Sequence, residues 1–305
     1  MKNQRILDIY SRLLSNKIVN RKNLAHEFKV SERTIHRDIS DLRAFLQNWN
    51  MQGEIEYVSK ENGYILKNED IQKLTNSEIL AVCKILLDSR AFLKEEMMSI
   101  INKLIMQCVP RESYKMVSQL VENEKFHYIE LQHKKSFINS LWDIGEAIQQ
   151  HRQMEIEYTR KNGTAVTRII NPVGLMFSEY YFYLLGHIDN IDKENFEVKN
   201  DSCPTIYRVD RIDSYKILDS RFSVPYKDRF EEGEFRKRVM FMTSGKLRKL
   251  TFKYKGNALE AVLDKIPTAE VVETHDDHYI IKAEVFGNGI DRWILSLGDD
   301  IELID

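Results

Sequence analysis

Glycine and proline are scarce in this sequence, at 12 and 5 of 305 residues. That scarcity excludes a long flexible linker and a glycine-rich repeat array, both of which consume those residues in quantity. Cysteine is sparse as well: Cys83, Cys108 and Cys203 lie far apart, and no Cys-x-x-Cys pair occurs. A secreted disulfide framework uses a dense, even set, so a reducing cytoplasm is the expected setting. No apolar run approaches the ~18 residues that a membrane-spanning helix needs. The first residues, MKNQRILDIYSRLL, lack an unbroken apolar stretch and a small-residue cleavage site, so they do not read as a secretion signal. With 43% apolar and 30% charged residues, the composition is that of an ordinary soluble protein. Its length suits about two average domains, or three small ones with connectors.

Net charge is nearly missing too. The 45 Lys and Arg against 47 Asp and Glu leave −2. Near-neutrality speaks against a nucleic-acid partner unless the charge is unevenly spread. It is uneven: residues 1–67 carry 12 basic and 8 acidic side chains, a net of +4, and the remainder carries 33 and 39, a net of −6. The average hides a basic end.

That basic end has a layout of its own. Ile6, Ile9, Tyr10, Leu13 and Leu14 recur at helical spacing, which predicts a first helix over about 3–15. Leu24, Ala25 and Phe28 mark a short second helix, and Lys29-Val30 a tight connection. Ser31 stands where an N-cap belongs. Ile35, Ile39, Leu42 and Leu46 then form the buried stripe of a third helix. At 100° per residue Arg33 and Arg37 point away from that stripe, with Thr34, His36 and Ser40 beside them. Arginine bonds guanine bidentately or grips phosphate, and a helix N-terminus adds backbone donors, so this is the pattern of a major-groove reader. Charged helix faces are usually only solvated; the complete helix-turn-helix layout favours DNA here. Ile55, Tyr57, Tyr64 and Leu66 alternate around Asn62-Gly63, which predicts a hairpin with a type I′ turn, a wing whose tip carries Lys60. Candidate DNA contacts are Lys22, Ser31, Arg33, Thr34, His36, Arg37 and Lys60.

Beyond the wing, Ser77 to about Gln107 reads as helical, capped by Thr75-Asn76-Ser77 and stopped by Pro110, with Met97-Met98 as core filler. A further helix runs from about Phe137 to Gln150. Past residue 150 the period becomes alternating: Met154–Tyr158, Thr167–Pro172, Tyr180–His187 and Thr205–Ile212 predict a small antiparallel barrel or strongly bent sheet. If Phe182 and Leu184 face its core, Tyr183 and His187 take the outer or pocket face. Arg168, Arg208 and Arg211 come from different strands of this unit, although scattered solvated arginines would look the same. Residues 236–305 predict a compact α+β module: a strand at Arg238–Met242, a helix at Gly245–Tyr254 or Ala258–Val262, strands at Ala269–Glu273 and Tyr279–Phe286, a helix at Gly289–Leu297, and a strand at Asp300–Ile304.

Four of these segments, in this order, resemble the bacterial WYL-domain transcriptional regulators: LAHEFKVSERTIHRDISDLRAFL (24–46), RIINPVGL followed by YFYLLG (168–175 and 181–186), YRVDRI (207–212) and RWILSLGDDIELI (292–304). The resemblance covers essentially the whole chain. It implies a multidomain α+β protein: a winged helix-turn-helix over 1–67, a helical linker over 68–136, an Sm-like barrel (the WYL domain) over 137–220 and a C-terminal extension domain over 221–305. It also implies a dimer that binds DNA under control of a ligand or oligonucleotide pocket. Carried onto this chain, that pocket comprises Tyr158, Thr159, Arg168, Tyr183, Arg208 and Arg211, to which strand alternation adds His187. The tryptophan of the family motif is Phe182 here, which keeps the aromatic bulk and loses the indole N–H.

Other motifs weigh little. His275-Asp-Asp-His278 falls at an expected turn without further ligands, Thr243-Ser-Gly-Lys246 lacks the upstream glycine of a P-loop, and no Gly-x-Ser-x-Gly elbow occurs. No catalytic residue, metal or cofactor is therefore expected. The leading expectation is a cytoplasmic, dimeric regulator that binds a double-stranded operator and senses a nucleotide or single-stranded nucleic acid, with no membrane partner. The alternatives are a constitutive DNA-binding dimer whose C-terminal half is structural, and a nucleotide-processing enzyme fused to a DNA-binding domain.

Overall fold

A computed structural model describes residues 2–15, 17–49, 53–67, 74–189, 203–224 and 229–304. Its chain divides into two compact units, Met1–Glu78 and Ile79–Asp305. In the first, helices α1 (Lys2–Leu14), α2 (Arg21–Glu27) and α3 (Glu32–Asn48) precede a hairpin of β1 (Glu54–Val58) and β2 (Gly63–Lys67). Ile9 and Leu13 of α1, Leu24 of α2 and the 35/39/42/46 stripe of α3 close one core with Ile55, Tyr64 and Leu66. Through this core Arg5 reaches Asp38, which is almost fully buried, with Nε 2.5 Å from Oδ2, and so fastens α1 to α3. The predicted caps are present: Ser31 Oγ accepts from Thr34 N at 3.2 Å, and Lys29 turns the chain between α2 and α3 at φ 51°.

The hairpin departs from expectation at its tip. Val58 pairs with Gly63, so four residues connect the strands rather than two. Ser59–Glu61 form a 3-10 turn and Asn62 alone is left-handed, at φ 48°. Gly63 is required for a different reason. Val19 bridges Tyr64 across the hairpin, and a Cβ on Gly63 would lie 2.4 Å from Ile18 Cγ2 and 3.1 Å from Val19 O.

At the chain boundary between the units α4 (Asn76–Ser89) starts in a reciprocal capping box, Thr75 N donating to Glu78 Oε2 and Glu78 N to Thr75 Oγ1. The helical stretch expected over 77–107 is two helices, α4 and α5 (Lys94–Cys108), separated by a corner in which Arg90 is left-handed at φ 51°. Pro110 ends α5 as predicted. It also begins α6 (Arg111–Phe126), which the sequence reading left out, because proline's fixed φ suits a helix start as well as a stop. Ile79, Cys83, Leu87, Met97, Ile101, Ile105, Val117 and Val121 form the core of these helices, so Met97 is core filler.

Helix α7 (Ile138–Gln149) then leads into five antiparallel strands, β3 (Arg152–Thr159), β4 (Ala165–Ser178), β5 (Tyr181–Ile188), β6 (Thr205–Arg208) and β7 (Ile212–Arg221), in spatial order β6-β5-β4-β3-β7. The two edge strands are consecutive in the chain, joined only by the 3-10 turn Val209–Arg211. In a flat sheet those edges would lie ~19 Å apart, at about 4.8 Å per strand. A three-residue 3-10 turn spans about 6 Å. The sheet must therefore curl on itself, which gives the Sm-like form. This turn also corrects the single strand expected over 205–212: Val209 and Asp210, neighbours in sequence, are both buried, which a regular strand with alternating faces does not allow. Most of the polar stretch 189–202 lies outside the described residues.

The C-terminal module has α8 (Glu232–Arg238), β8 (Leu247–Tyr254), α9 (Leu259–Lys265), β9 (Glu270–Thr274), β10 (Tyr279–Phe286), α10 (Gly289–Leu297) and β11 (Ile301–Leu303), with strand order β11-β8-β10-β9. One expectation fails, and one of two alternatives is decided. Residues before 239 are helical, leaving only isolated bridges at Val239 and Met240. Residues 247–254 form a strand with Leu250, Phe252 and Tyr254 inward, a period of two that overrides the helix-forming lysines and leucines beside them. Of the two helix alternatives, the one at 258–262 is present as α9.

Candidate nucleic-acid interface and effector site

Helix α3 buries Ile35, Ile39, Leu42 and Leu46 and so turns Arg33, His36 and Arg37 outward, all three exposed. Neither arginine makes an ion pair among the described residues. That leaves the charge of both available to a polyanion. Thr34 is half-buried and shares a 3.0 Å hydrogen bond with Ser31 Oγ, so those two side chains secure the helix start first. Lys22 is exposed in the first turn of α2, and Lys60 is exposed in the 3-10 turn at the hairpin tip. All seven candidates belong to the N-terminal unit.

The effector candidates do not gather into one pocket. On the inner face of the sheet, Arg168 pairs with Ile156 and lies diagonal to Tyr158, whose ring meets Tyr207 edge-on at 5.1 Å. Tyr207 is buried, and its hydroxyl has no hydrogen bond of good geometry among the described residues. Burial pushes it up to about 12, against the opposing influence of the nearby Thr205 side chain and the cations Arg168 and Arg160. Among the described residues Arg168 itself donates only to the carbonyl of Thr167, at 3.3 Å.

On the other face Tyr183 stands opposite Arg208. Arg208 grips the buried Asp210 with two hydrogen bonds, Nε to Oδ1 at 3.0 Å and Nη2 to Oδ2 at 2.7 Å. Its guanidinium lies 3.5 Å from the centre of the Tyr181 ring. Tyr183 lies on the face opposite Phe182 and Leu184, partly buried there. It packs with Met176, Leu185, Phe235 and Met242, and burial pushes its hydroxyl up to about 12. His133, from the segment before α7, sits 6.4 Å from Tyr181, with Nδ1 accepting from Lys135 N. Burial pulls its pKa down, Asp210 opposes and Arg208 assists.

Thr159 is in a third place. It donates to Asp213, which Lys135 also engages at 2.7 Å, and both bonds hold the Asp213 carboxyl below its usual range. Arg211 is half-buried in the 3-10 turn, and His187 pairs across β4 with Asn171. The sequence reading missed Asp210, Tyr181, Tyr207 and His133. Asp210 was visible as Arg-x-Asp, but a strand assignment put it on the same face as Arg208 without suggesting a clamp. A cleft of about 470 Å³ opens beside this group between the start of α7 and β7; its carboxylates, Asp210 and Asp213, make it a poor seat for an anion.

Phe182, at the motif tryptophan, is half-buried among Phe92, Phe137 and Phe177, with ring centres 5.7, 5.9 and 5.0 Å away. Packing is its role in this setting. His275 and His278 stack at 4.3 Å in the β9–β10 turn, and among the described residues no group of three His, Cys, Asp or Glu could hold a metal. No described helix is long and apolar enough to cross a membrane.

Residues 5–65 match the model of an HTH domain, and residues 140–217 match that of the WYL domain. The chain joins a helix-turn-helix domain to a WYL domain. That pairing is the composition of a DNA-binding regulator. No curated protein matches the chain. Among solved structures it is similar to proteasome accessory factor B/C (PafBC) of Arthrobacter aurescens, at 16% identity and a TM-score of 0.29, over 99% of this chain and 44% of that one. The present chain therefore spans less than half of that protein. It is also similar to a CRISPR Cas-related protein, at 13% identity and a TM-score of 0.38, over 78% of this chain and 70% of that one. In the WYL domain the matched stretch runs from α7 into β7 and contains every effector candidate.

Proposed function

We propose that this regulator binds its operator as a cytoplasmic homodimer and that its WYL domain senses a nucleotide or single-stranded nucleic acid, which modulates operator binding. The reading rests on one observation above all: Asp210 holds the Arg208 guanidinium over the Tyr181 ring, and among the described residues Nη1 has no acceptor. A guanidinium fixed in this way offers donors to a phosphate oxygen at little entropic cost, and aromatic rings beside it offer faces for a base. Arg168 and Arg211, which make no ion pair among the described residues, would extend a cationic track around the sheet. No catalytic step and no cofactor enter the reading.

The same clamp favours a second reading, in which Arg208 is purely structural, because its charge is already matched inside the fold. Fluorescence anisotropy with labelled single-stranded DNA and with a nucleotide separates the two. Sensing predicts binding by the wild type that weakens in Arg168→Gln and Arg211→Gln, and a shifted duplex titration when the strand is added. Equal, negligible binding by all three proteins, with a duplex titration that no strand shifts, supports the structural reading.

A further inference from the structure

The wing is tied to the helix-turn-helix at three points. Arg43 of α3 donates through Nε to Ile55 O at 2.8 Å, at the root of the hairpin. The segment after α1 lies along β2: Val19 N donates to Tyr64 O at 2.9 Å and Tyr64 N to Val19 O at 2.8 Å. The third tie is at the tip, and one side-chain amide makes it. Asn20 Oδ1 accepts from Lys22 N at 2.8 Å and from Asn23 N at 3.2 Å, which caps α2. The Nδ2 of the same side chain donates to the carbonyl of Asn62. Asn62 is held from its other end as well, because Tyr57 Oη donates to its Oδ1 at 2.7 Å.

Asn62 is the left-handed residue that ends the wing turn, so holding it sets the direction in which that turn points. The amides of Lys22 and Asn23 and the carbonyl of Asn62 are already bonded, which leaves side chains as what this edge can present. Lys22 follows Asn20 by two residues, and Lys60 precedes Asn62 by two. Both lysines are exposed, and neither makes an ion pair among the described residues. Glu61 follows Lys60 at the tip. The orientation of the turn, and not only its charge, therefore decides what a phosphate meets.

We propose that Asn20 is the positioning residue of the DNA interface: its side-chain amide locks the wing tip to the start of α2, so that Lys22 and Lys60 meet the phosphates of a duplex as one preset pair. Phosphate contacts carry no sequence information, but they fix the orientation of a protein on the duplex. A pair set in advance does so without the cost of ordering a free arm on binding. Neither the dimer nor effector sensing enters this inference.

The test is the salt dependence of binding to a short random-sequence duplex, followed by fluorescence anisotropy with the full chain. In the wild type, Lys22→Ala and Lys60→Ala should each make the slope of log K against log salt shallower by about one per bound copy, the share of one phosphate contact. Asn20→Ser keeps an oxygen to cap α2 and removes the donor to Asn62. It should make the slope shallower by about one on its own, and adding Lys60→Ala to it should change the slope no further. A residue that only stabilised the fold would leave the two losses additive. Tyr57→Phe, which frees the other end of Asn62 while Asn20 still caps α2, provides a second variant should Asn20→Ser fold poorly. It should reduce the Lys60 contribution in the same direction. Full additivity of Lys60→Ala with both variants overturns the proposal, as does a wild-type slope in Asn20→Ser. A wild-type slope that Lys60→Ala leaves unchanged overturns it too, because the wing tip then lies off the backbone.

Discussion

Arg208→Ala should cost stability before it costs binding. The Asp210 side chain is 4% exposed and Arg208 is 22% exposed, so deleting the arginine strands a carboxylate away from water. Breaking a buried pair from one side typically costs ~3–5 kcal/mol. The residual exposure of Arg208 places this case near the lower end, about 3 kcal/mol, with the lost stacking on Tyr181 contributing part of it. In a unit of this size that is a fall in Tm of about 6–12 °C. Urea titration followed by tryptophan fluorescence is the assay, because Trp142 and Trp293 both lie in the Ile79–Asp305 unit. Adding Asp210→Asn removes the stranded charge and should restore more than half of the loss. A single variant within about 1 kcal/mol of wild type, or a double variant no better than the single, would refute the clamp as described. The charge-balanced double variant is therefore the right protein in which to ask what Arg208 binds.

Three more outcomes follow from named contacts. Arg37→Ala should weaken specific duplex binding by ~1–3 kcal/mol if it reads a base, with a smaller loss on random duplex; gel-shift titration with both DNAs checks this, and equal losses would make Arg37 a phosphate contact. Gly63→Ala should destabilise the winged unit by ~1–3 kcal/mol, since its Cβ collides with Ile18 and forces the Val19–Tyr64 bridge apart. Unchanged thermal stability of the winged unit would contradict that geometry. His133 has a folded-state pKa below its ordinary 6.5, so the unfolded chain takes up the proton first. Stability is then fully present above about pH 6.5 and declines as pH falls towards the folded-state pKa. His133→Phe should flatten that slope in urea titrations across the window, and an unchanged slope would assign it to another group.

Much of the N-terminal unit is legible in the sequence because its signals are local. The α3 stripe, the Ser31 cap and the outward arginines depend only on helical period and on a hydroxyl three residues before an amide. The wing turn was misread because Asn62-Gly63 suits a two-residue turn, whereas the glycine serves the approach of Val19, a long-range contact. The helix 111–126 was hidden behind Pro110, which reads as a stop from one side and a start from the other. In the WYL domain the strands and a barrel or strongly bent sheet are visible by alternation, but the way the sheet closes is not. It puts a 3-10 turn where alternation predicts strand, buries Asp210, and sends Arg168 and Arg208 to opposite faces. The role of Phe182 depends on Phe92, 90 residues earlier, which no local pattern connects to it.

The most direct test of a DNA-binding regulator with a sensing WYL domain is retention of fragmented genomic DNA by the full-length protein, sequenced with and without added single-stranded DNA. The account predicts a small set of enriched duplex fragments sharing a two-fold motif, with half-sites one helical turn or a multiple apart. It further predicts that their enrichment changes when the single strand is present. Enrichment of no fragment over random DNA would contradict the reading of α3. Enrichment that single-stranded DNA leaves untouched would contradict the proposed sensing of a nucleic-acid strand.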